Sequence, residues 1–375
     1  MKKILKIILV SFLLMSCTTK KEPIHVALPS EIKAMWFSYV DFDKNLKGLE
    51  NKEIESKIEE IINNCDELDI NTLFVHAVAF TDAYYDSKIY AKSSRVSDEI
   101  DYLKLFVEKA HEKGMHVEAW INPMRSYTEE QVNSLDETNI IKKMVIENSL
   151  ALCSFEGRYY LNPAVDEARQ LVLSIVQELI KNYEIDGIHM DDYFYPAKVD
   201  DAFDEEQFIA SGEMDRSTFR KNQVNQLVSD IHEITQDHGL TFGISPSGNL
   251  EYSRDVIFGD VEAWIISSSI DYILPQIYWG YTNKTRPYLE TLTMWNQLVE
   301  KSDVDLIVGL AAYKLGIPSK DSDQEEWNTD TKLLSKQIQD CKTMSRCRGY
   351  AFFSYHSLFT ECNDIGLSNK SNLSN

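Results

Sequence analysis

Stretches with the pattern of a β-strand alternate with stretches of helical periodicity eight times along this chain. In the first pair, apolar residues alternate through Lys33–Phe42, and isoleucines recur on one helix face within Lys52–Leu68. The alternation continues to an eighth strand at Gly349–Tyr355 without a second composition regime. Parallel strands need helical crossovers, so the pattern predicts an α/β fold. We expect one (β/α)8 TIM barrel over residues 33–356 rather than a doubly wound sheet.

The fourth predicted strand ends in two adjacent carboxylates followed by three aromatic residues, within the run Asp186–Pro196. The two-residue period of a strand places His189, Asp191 and Tyr193 on one side and Asp192 on the other. Carboxylic acids that handle protons, together with rings that stack on sugars, are typical of a glycosidase site. Taken alone, such a pair of aspartates is more often an acidic strand-to-loop turn, and the rest of the chain reverses this preference.

Polar and aromatic residues also follow the other predicted strands, at the barrel face that carries active sites in this fold. Because these strand ends converge in space, the residues predict one cleft rather than scattered surface positions. The predicted cleft residues outside the fourth strand are Glu118, Trp120, Asn122, Arg125, Ser245, Gln276, Tyr278, Trp279 and Tyr313.

Five stretches together resemble the glycoside-hydrolase-like family ten barrels, in order and spacing, over roughly residues 33–355. They are Trp120–Arg125, Asp186–Pro196, Gly243–Pro246, Leu274–Trp279 and Val308–Gly316. Some members are lipoproteins similar to glycosidases that cut peptidoglycan strands stripped of their peptides. The resemblance therefore implies a glycoside hydrolase of bacterial cell-wall glycan. The chain departs from the family where Glu118 replaces a usual His and Met124 a usual Tyr, which puts substrate details in doubt.

The fourth-strand run also resembles the Asp-Gly-x-Asp-x-Asp-x-Glu motif of family eighteen chitinases, in which the substrate's acetamido oxygen is the nucleophile. Tyr193 stands where that motif has its proton donor, so we expect Asp192 to be the general acid beside a charged Asp191, with Glu118 as a reserve carboxylate. His189, Tyr193, Ser245 and Tyr313 are expected to line the substrate. The other expected substrate contacts are Gln276 and Tyr278 as hydrogen-bonding groups, Trp120, Trp279 and Tyr195 as stacking rings, and Asn122 and Arg125 as ligands of hydroxyls or a lactyl carboxylate.

Two other classes of function remain open from the sequence: a hydrolase of another polysaccharide, and a glycan-binding lipoprotein without catalytic activity. A metal-dependent deacetylase is a weaker alternative, because no histidine pair has ligand spacing. We therefore expect no metal and no cofactor. The formal net charge of −22 disfavours nucleic acid as a partner. A monomer that binds a glycan is the expected state.

The N-terminus has the pattern of an exported lipoprotein. Lys2 and Lys3 precede an apolar run too short to span a membrane, and Ser16 stands before Cys17. This arrangement resembles a bacterial lipoprotein signal, which implies cleavage before Cys17 and lipid on its sulfur. We expect a signal peptide over 1–16, a tether over 17–32 and a polar tail over 357–375. The protein would then lie in the cell envelope, anchored to a membrane, although an ordinary secretory signal or an N-terminal membrane anchor fits the same residues.

Overall fold

The computed structural model describes residues 25–373, and its central feature is a closed barrel of eight parallel strands. Each strand hydrogen-bonds to the next along the chain, and the eighth closes on the first. This architecture confirms the predicted TIM barrel. The strands are β1 (Ile32–Phe37), β2 (Thr72–Val78), β3 (His116–Ile121), β4 (Gly187–Asp191), β5 (Thr241–Ser245), β6 (Tyr272–Ile273), β7 (Asp305–Leu310) and β8 (Cys347–Phe352).

Helices connect the strands and bury one face against the outside of the barrel. The long ones follow the predicted pattern, since α2 buries its isoleucines and α8 its apolar stripe. The helices are α1 (Tyr39–Asn45), α2 (Asn51–Asp66), α3 (Tyr102–Glu112), α4 (Glu129–Asn133), α5 (Ile140–Ile146), α6 (Asp166–Asn182), α7 (Glu205–Ser211), α8 (Arg216–Asp237), α9 (Leu250–Asp255), α10 (Val261–Ser267), α11 (Tyr288–Val299), α12 (Gln324–Thr329), α13 (Leu333–Thr343), α14 (Tyr355–Phe359) and α15 (Asp364–Ser371). Short 3₁₀ turns occupy Asp201–Phe203 and Ala312–Lys314.

The segment between β3 and β4 contains a small antiparallel sheet that the sequence did not predict. Its strands are Arg125–Thr128, Arg158–Leu161 and Leu152–Phe155, with Arg158–Leu161 in the middle. The same segment also contains the helices α4 and α5. The sheet brings residues after Leu152 back to the mouth of the barrel beside the end of β3.

Side chains alternate between the barrel interior and the helical layer. An interior cluster of mostly apolar residues contains Trp36, Phe74 and Tyr272. On β4, His189 points inward among these rings, whereas Ile188 belongs to the larger cluster that faces the helices. The alternation predicted for β4 is therefore present, and it directs His189 and Asp191 to the interior.

Glycines in β4 and β5 make room for large side chains inside the barrel. A Cβ atom on Gly243 would lie 2.1 Å from Cζ of Tyr272, whose ring is fully buried. A Cβ atom on Gly187 would lie 2.8 Å from Cδ of Glu118. These contacts are shorter than van der Waals separation, so glycine is required at both positions by close approach of a neighbour.

The N-terminal segment closes the barrel face opposite the strand ends that carry the predicted site. The Val26 N–H donates to Asp186 Oδ1 at 2.7 Å, and His116 Nδ1 lies 2.6 Å from the Val26 carbonyl oxygen. Asp186 Oδ2 also accepts from the Val117 N–H at 2.8 Å and pairs with His111. These residues stand at the beginning of β3 and β4, so the chain enters the fold at the bottom of the barrel.

The predictions for the N-terminal and C-terminal segments have different outcomes. The predicted signal peptide and Cys17 fall in residues 1–24, outside the described part. No helix within residues 25–373 is long and apolar enough to cross a membrane. The polar tail predicted over 357–375 contains a helix, α15, that the sequence did not predict. Asn369 of α15 is buried, donates to the Asp330 carbonyl and accepts from the Leu334 N–H, which fixes the helix against the barrel.

Candidate active site

A cleft with a volume of about 270 Å³ opens at the C-terminal ends of the barrel strands. Its wall combines aromatic rings with a few polar groups and one carboxyl group, which is the composition of a saccharide site. Eight of the residues predicted from sequence line it: Asp191, Trp120, Asn122, Tyr193, Ser245, Gln276, Tyr278 and Tyr313. Five further residues complete the lining: Trp36, Tyr39, Val40, His76 and Phe353.

The two aspartates at the end of β4 have different surroundings. Asp191, the last residue of the strand, is 4% exposed and forms part of the cleft wall. Its Oδ1 accepts from the Tyr193 N–H at 3.4 Å. Asp192 lies just beyond the strand, is half-buried, and its Oδ2 accepts from the Ser247 N–H at 2.9 Å. The pair thus spans the mouth of the barrel between β4 and the loop after β5.

Burial shifts the acidity of both aspartates. It raises the pKa of Asp191 well above the ordinary aspartate value, and the neighbouring charge of Asp192 adds to the rise. Burial also raises the pKa of Asp192 to about 6, against an opposing hydrogen bond from the Ser247 N–H. Two interacting carboxyl groups titrate as a pair, and the burial of Asp191 in the cleft wall favours its protonated form.

His189 and Glu118 do not line the cleft, contrary to prediction, because both are fully buried inside the barrel. Tyr272 joins them, since its hydroxyl donates to Glu118 Oε2 at 2.6 Å and lies 2.8 Å from His189 Nδ1. His189 Nδ1 must then be the protonated nitrogen, which leaves Nε2 to accept from Trp36 Nε1 and the Ser245 hydroxyl, both at 3.1 Å. The chain of hydrogen bonds supports the cleft floor from below.

The remaining partners of Glu118 are His116 and Thr241, at 3.0 and 2.7 Å from Oε1. Arg125 is not a partner of Glu118, and Glu118 does not line the cleft. The expectation that Glu118 is a reserve catalytic carboxylate is therefore wrong. Burial lowers the pKa of His189 well below its ordinary value, which keeps the imidazole neutral. The interior pair of His189 and Glu118 is therefore structural support for the site.

Trp120 forms the floor of the cleft and offers little free ring surface. It is 4% exposed, and His76 stacks on it with ring centroids 3.5 Å apart. The Tyr39 N–H donates to His76 Nδ1 at 3.1 Å, which leaves Nε2–H to donate to Asn122 Oδ1 at 3.2 Å. Burial lowers the pKa of His76 to about 3, so it is neutral. The expected stacking of a sugar on Trp120 is therefore limited to the edge that faces the cleft.

Other rings provide the open platforms. Tyr193 is 41% exposed and Tyr313 is 37% exposed, and both line the cleft. Tyr278 packs edge-on against Tyr313 with centroids 5.6 Å apart. Gln276 reaches the same wall and donates from Nε2 to the Ser245 carbonyl at 2.9 Å. These side chains are placed to contact a saccharide along its faces and its hydroxyl edge.

Tyr195 and Trp279, which were also predicted as stacking rings, do not line the cleft. Tyr195 is 2% exposed and packs against Phe203 and Phe258 on the outer side, so the prediction of sugar stacking is wrong for this residue. Trp279 is half-buried over Gly248, where a Cβ atom would come within 2.6 Å of the indole. The guanidinium carbon of Arg286 lies 6.0 Å from the centroid of the Trp279 ring.

Arg125 stands beside the cleft rather than within its lining. Its guanidinium carbon lies 4.5 Å from the ring centroid of Tyr193 and 4.7 Å from that of Phe80. The sequence predicted Arg125 as a cleft residue. The structure places it at the cleft mouth, where cation–π contacts hold it.

The residues that sequence reasoning missed come mainly from the ends of β1 and β8. Tyr39 lies two residues beyond the end of β1, and Phe353 follows β8 directly. The strand-end argument, applied to the first strand as it was to the others, would have found Tyr39. Trp36 gives no such signal, because an inward tryptophan one residue before the strand end has the pattern of a core residue.

Comparisons with known proteins agree with this geometry. The model of the family described as glycosyl hydrolase-like 10 matches residues 31–329. The chain is 28% identical over 359 residues to glycosyl hydrolase YngK of Bacillus subtilis (strain 168), covering 88% of this chain and 69% of that protein. It is 27% identical over 307 residues to glycosyl hydrolase DigH of Escherichia coli (strain K12), covering 74% of this chain and 70% of that protein.

Solved structures are similar in fold at low sequence identity. The glycoside hydrolase domain of PgaB (BpsB) from Bordetella bronchiseptica superposes with a TM-score of 0.59 at 11% identity, covering 92% of this chain and 99% of that one. An endo-1,4-β-mannanase from Rhizomucor miehei gives 0.57 at 10% identity, covering 92% and 94%. Together with the family match over most of its length, these results show that the chain belongs to the glycosyl hydrolase-like 10 family.

Proposed function

We propose that this protein hydrolyses glycosidic bonds in bacterial cell-wall glycan, with peptide-free peptidoglycan strands as its substrate. Family membership and the two curated relatives support glycan hydrolysis in general. The more specific proposal draws on one observation of the cleft. Asp191 is the sole carboxyl group in its lining among residues 25–373, and it is buried with a raised pKa.

A cleft lined by a single carboxyl group supports a substrate-assisted reaction. Most glycosidases place two carboxyl groups on either side of the scissile bond, one as acid and one as nucleophile or base. Where no second carboxylate lines the cleft in a position to attack the sugar, a 2-acetamido group on the sugar can act as the nucleophile. Peptidoglycan contains such sugars, whereas polysaccharides without an acetamido group cannot supply that oxygen. This argument favours an N-acetylated glycan over other substrates.

The pKa shifts support Asp191 as the proton donor, which reverses the roles expected from sequence. Asp191 faces the cleft, and its raised pKa favours the protonated form that a general acid needs. Asp192 has a pKa of about 6 and is ionised above that pH, so it would stabilise positive charge on the sugar or orient the acetamide. Tyr193, Gln276 and Tyr278 would hold the saccharide against the pair.

The rate should fall on the acid side of about pH 6. The proposed reaction needs Asp192 ionised, and its raised pKa means that the ionised form is lost as the pH drops through about 6. We therefore expect kcat/KM to decrease roughly tenfold per pH unit below that value, and to decrease again at higher pH when Asp191 loses its proton. The pH profile of reducing-end release measures both limbs. Asp192→Asn should remove the acid limb, and an unaltered limb in that variant would exclude Asp192 as its origin.

Product analysis by mass spectrometry tests the proposed substrate. Residues 18–375 are incubated with peptidoglycan strands from which an amidase has removed the peptides, and in parallel with untreated peptidoglycan and with chitin and mannan oligosaccharides. We expect muropeptide-free fragments with new reducing ends from the peptide-free strands. Retention of strands without any cleavage would identify a binding protein instead, and cleavage of mannan alone would exclude the substrate-assisted mechanism, since mannose has no acetamido group.

The location in the cell envelope is part of the same proposal. It is supported by the apolar N-terminal run and by Cys17, both in the sequence outside the described residues. Labelling of cells with an azido fatty acid, with Cys17→Ser as the control, would test the lipid directly. Incorporation into both forms, or into neither, would contradict it.

A further inference from the structure

Arg125 and Arg158 lie together beside the cleft, and neither has a carboxylate partner among the described residues. The chain contains ten arginines, and seven of them form ion pairs with Asp or Glu. The third exception, Arg346, donates to the Ser302 and Val304 carbonyls far from the cleft. With 60 acidic and only 38 basic residues, the chain has carboxylates in excess. Two neighbouring arginines without one therefore stand out.

Aromatic rings and the small antiparallel sheet between β3 and β4 hold the two guanidinium groups. Phe80 contacts both, since the guanidinium carbons of Arg125 and Arg158 lie 4.7 and 5.1 Å from its centroid. Tyr193 stacks on Arg125 at 4.5 Å, and Arg158 donates to the Ser126 carbonyl. Stacking occupies the faces of a guanidinium and leaves the N–H groups in its plane free to donate. The arrangement is thus rigid, yet retains unused donors.

The local electrostatics favour an anion at this position. Burial lowers the pKa of the Arg158 guanidinium, and repulsion from Arg125 lowers it further. A bound anion would relieve that repulsion and receive charge-assisted hydrogen bonds, which are the strongest type available here. Tyr193 lines the cleft next to Asp191, so an anionic group held by Arg125 would belong to a sugar at the reacting centre.

We propose that Arg125 and Arg158 bind a carboxylate carried by a sugar next to the scissile bond, and that they select carboxylated strands over neutral ones. The inference rests on the proposed function and specifies the chemistry of its substrate. In peptide-free peptidoglycan the carboxylate is the free lactyl group, which a peptide would convert to a neutral amide. A uronic acid could supply the same group. Both sources share the carboxylate, and the test separates them.

Calorimetric titration measures the discrimination without turnover, in the Asp191→Asn background. The ligands are peptide-free strands, the same strands with carboxylates reduced to primary alcohols, and an oligogalacturonate. We expect the untreated strands to bind about tenfold or more tightly than the reduced strands, as charged hydrogen bonds imply. Tighter binding of the oligogalacturonate than of either strand would assign the carboxylate to a uronic acid.

Arg125→Gln combined with Arg158→Gln should bind untreated and reduced strands alike. Arg95→Gln is the matched control, because Arg95 stacks on Tyr39 at 5.3 Å but already pairs with Asp43, and it should keep the full discrimination. A double variant with lysines retains the charge without the planar fork, so partial discrimination by a folded protein is expected there. Two results would overturn the proposal. One is equal affinity of the protein with both arginines for untreated and reduced strands, and the other is discrimination that survives the double Gln variant. If the protein discriminates between untreated and reduced strands but cleaves neither, the proposed hydrolysis is wrong and the proposed carboxylate site stands.

Discussion

Asp191→Asn should lower kcat on peptide-free strands by about 10²- to 10⁴-fold, the range that general acid catalysis contributes. Asn has the size and shape of a protonated aspartate, and burial favours the protonated form of Asp191. The substitution therefore removes the proton without opening a cavity or stranding a charge. KM should change little. Release of reducing ends under saturating substrate measures the effect, and circular dichroism checks the fold.

Asp82→Asn provides the matched control for that loss. Asp82 is also a buried carboxyl group whose pKa is raised by burial, but it caps the Phe80 N–H and does not line the cleft. We expect a change in kcat of no more than about threefold in this variant. Aryl glycosides with acidic leaving groups need no proton, so Asp191→Asn should be least impaired on them. Wild-type turnover of Asp191→Asn on the polymer would remove Asp191 from the mechanism.

Gly243→Ala should destabilise the barrel by about 3 kcal/mol, near the upper end of the usual cost of overpacking a core. The added methyl group would meet the ring of Tyr272 at 2.1 to 2.4 Å, and that ring is enclosed on all sides. Displacing it would also disturb its hydrogen bonds to Glu118 and His189. The midpoint of thermal unfolding, followed by circular dichroism, should fall clearly below that of the unsubstituted protein.

Gly259→Ala serves as the comparison for this prediction. Its new Cβ would lie 3.1 Å from the ring edge of Trp264, a contact that small adjustments can relieve. The loss of stability should therefore be under about 1 kcal/mol. Equal thermal midpoints for the two variants would show that Tyr272 does not fill the space above Gly243 as tightly as described.

The barrel could be predicted from sequence because its determinants are local and repeated. Each strand and helix carries its own periodicity, and β1 with α2 illustrates both. The hairpin Leu152–Phe155 and Arg158–Leu161 could not be predicted in the same way, since its short strands are mostly half-exposed and lack a clear alternation. The helix α15 was missed because its polar sequence is buried at only a few positions, such as Asn369.

The sequence predicted where on the barrel the candidate site lies. It predicted less well which residues line the cleft and which are buried beneath it. Strand alternation places His189 and Glu118 inside the barrel, yet it does not say how far below the mouth they lie. Their partners, Tyr272 and Thr241, come from strands distant in sequence, so only the three-dimensional structure identifies them as buried. Tyr195 was misassigned for a similar reason, because the turn after Asp192 carries it to the outer side beside Phe203.

The entry of the chain at the bottom of the barrel has a consequence for how the proposed lipid anchor would orient the protein. Val26 is fixed to Asp186 and His116 at the face opposite the cleft. Seven residues lie between Cys17 and His25, so the two are eight residue steps apart and at most about 29 Å apart when the chain is fully extended. A lipid at Cys17 would hold the closed underside near the bilayer. The cleft would then face away from the membrane toward the peptidoglycan, and its distance from the bilayer would be set by the height of the barrel.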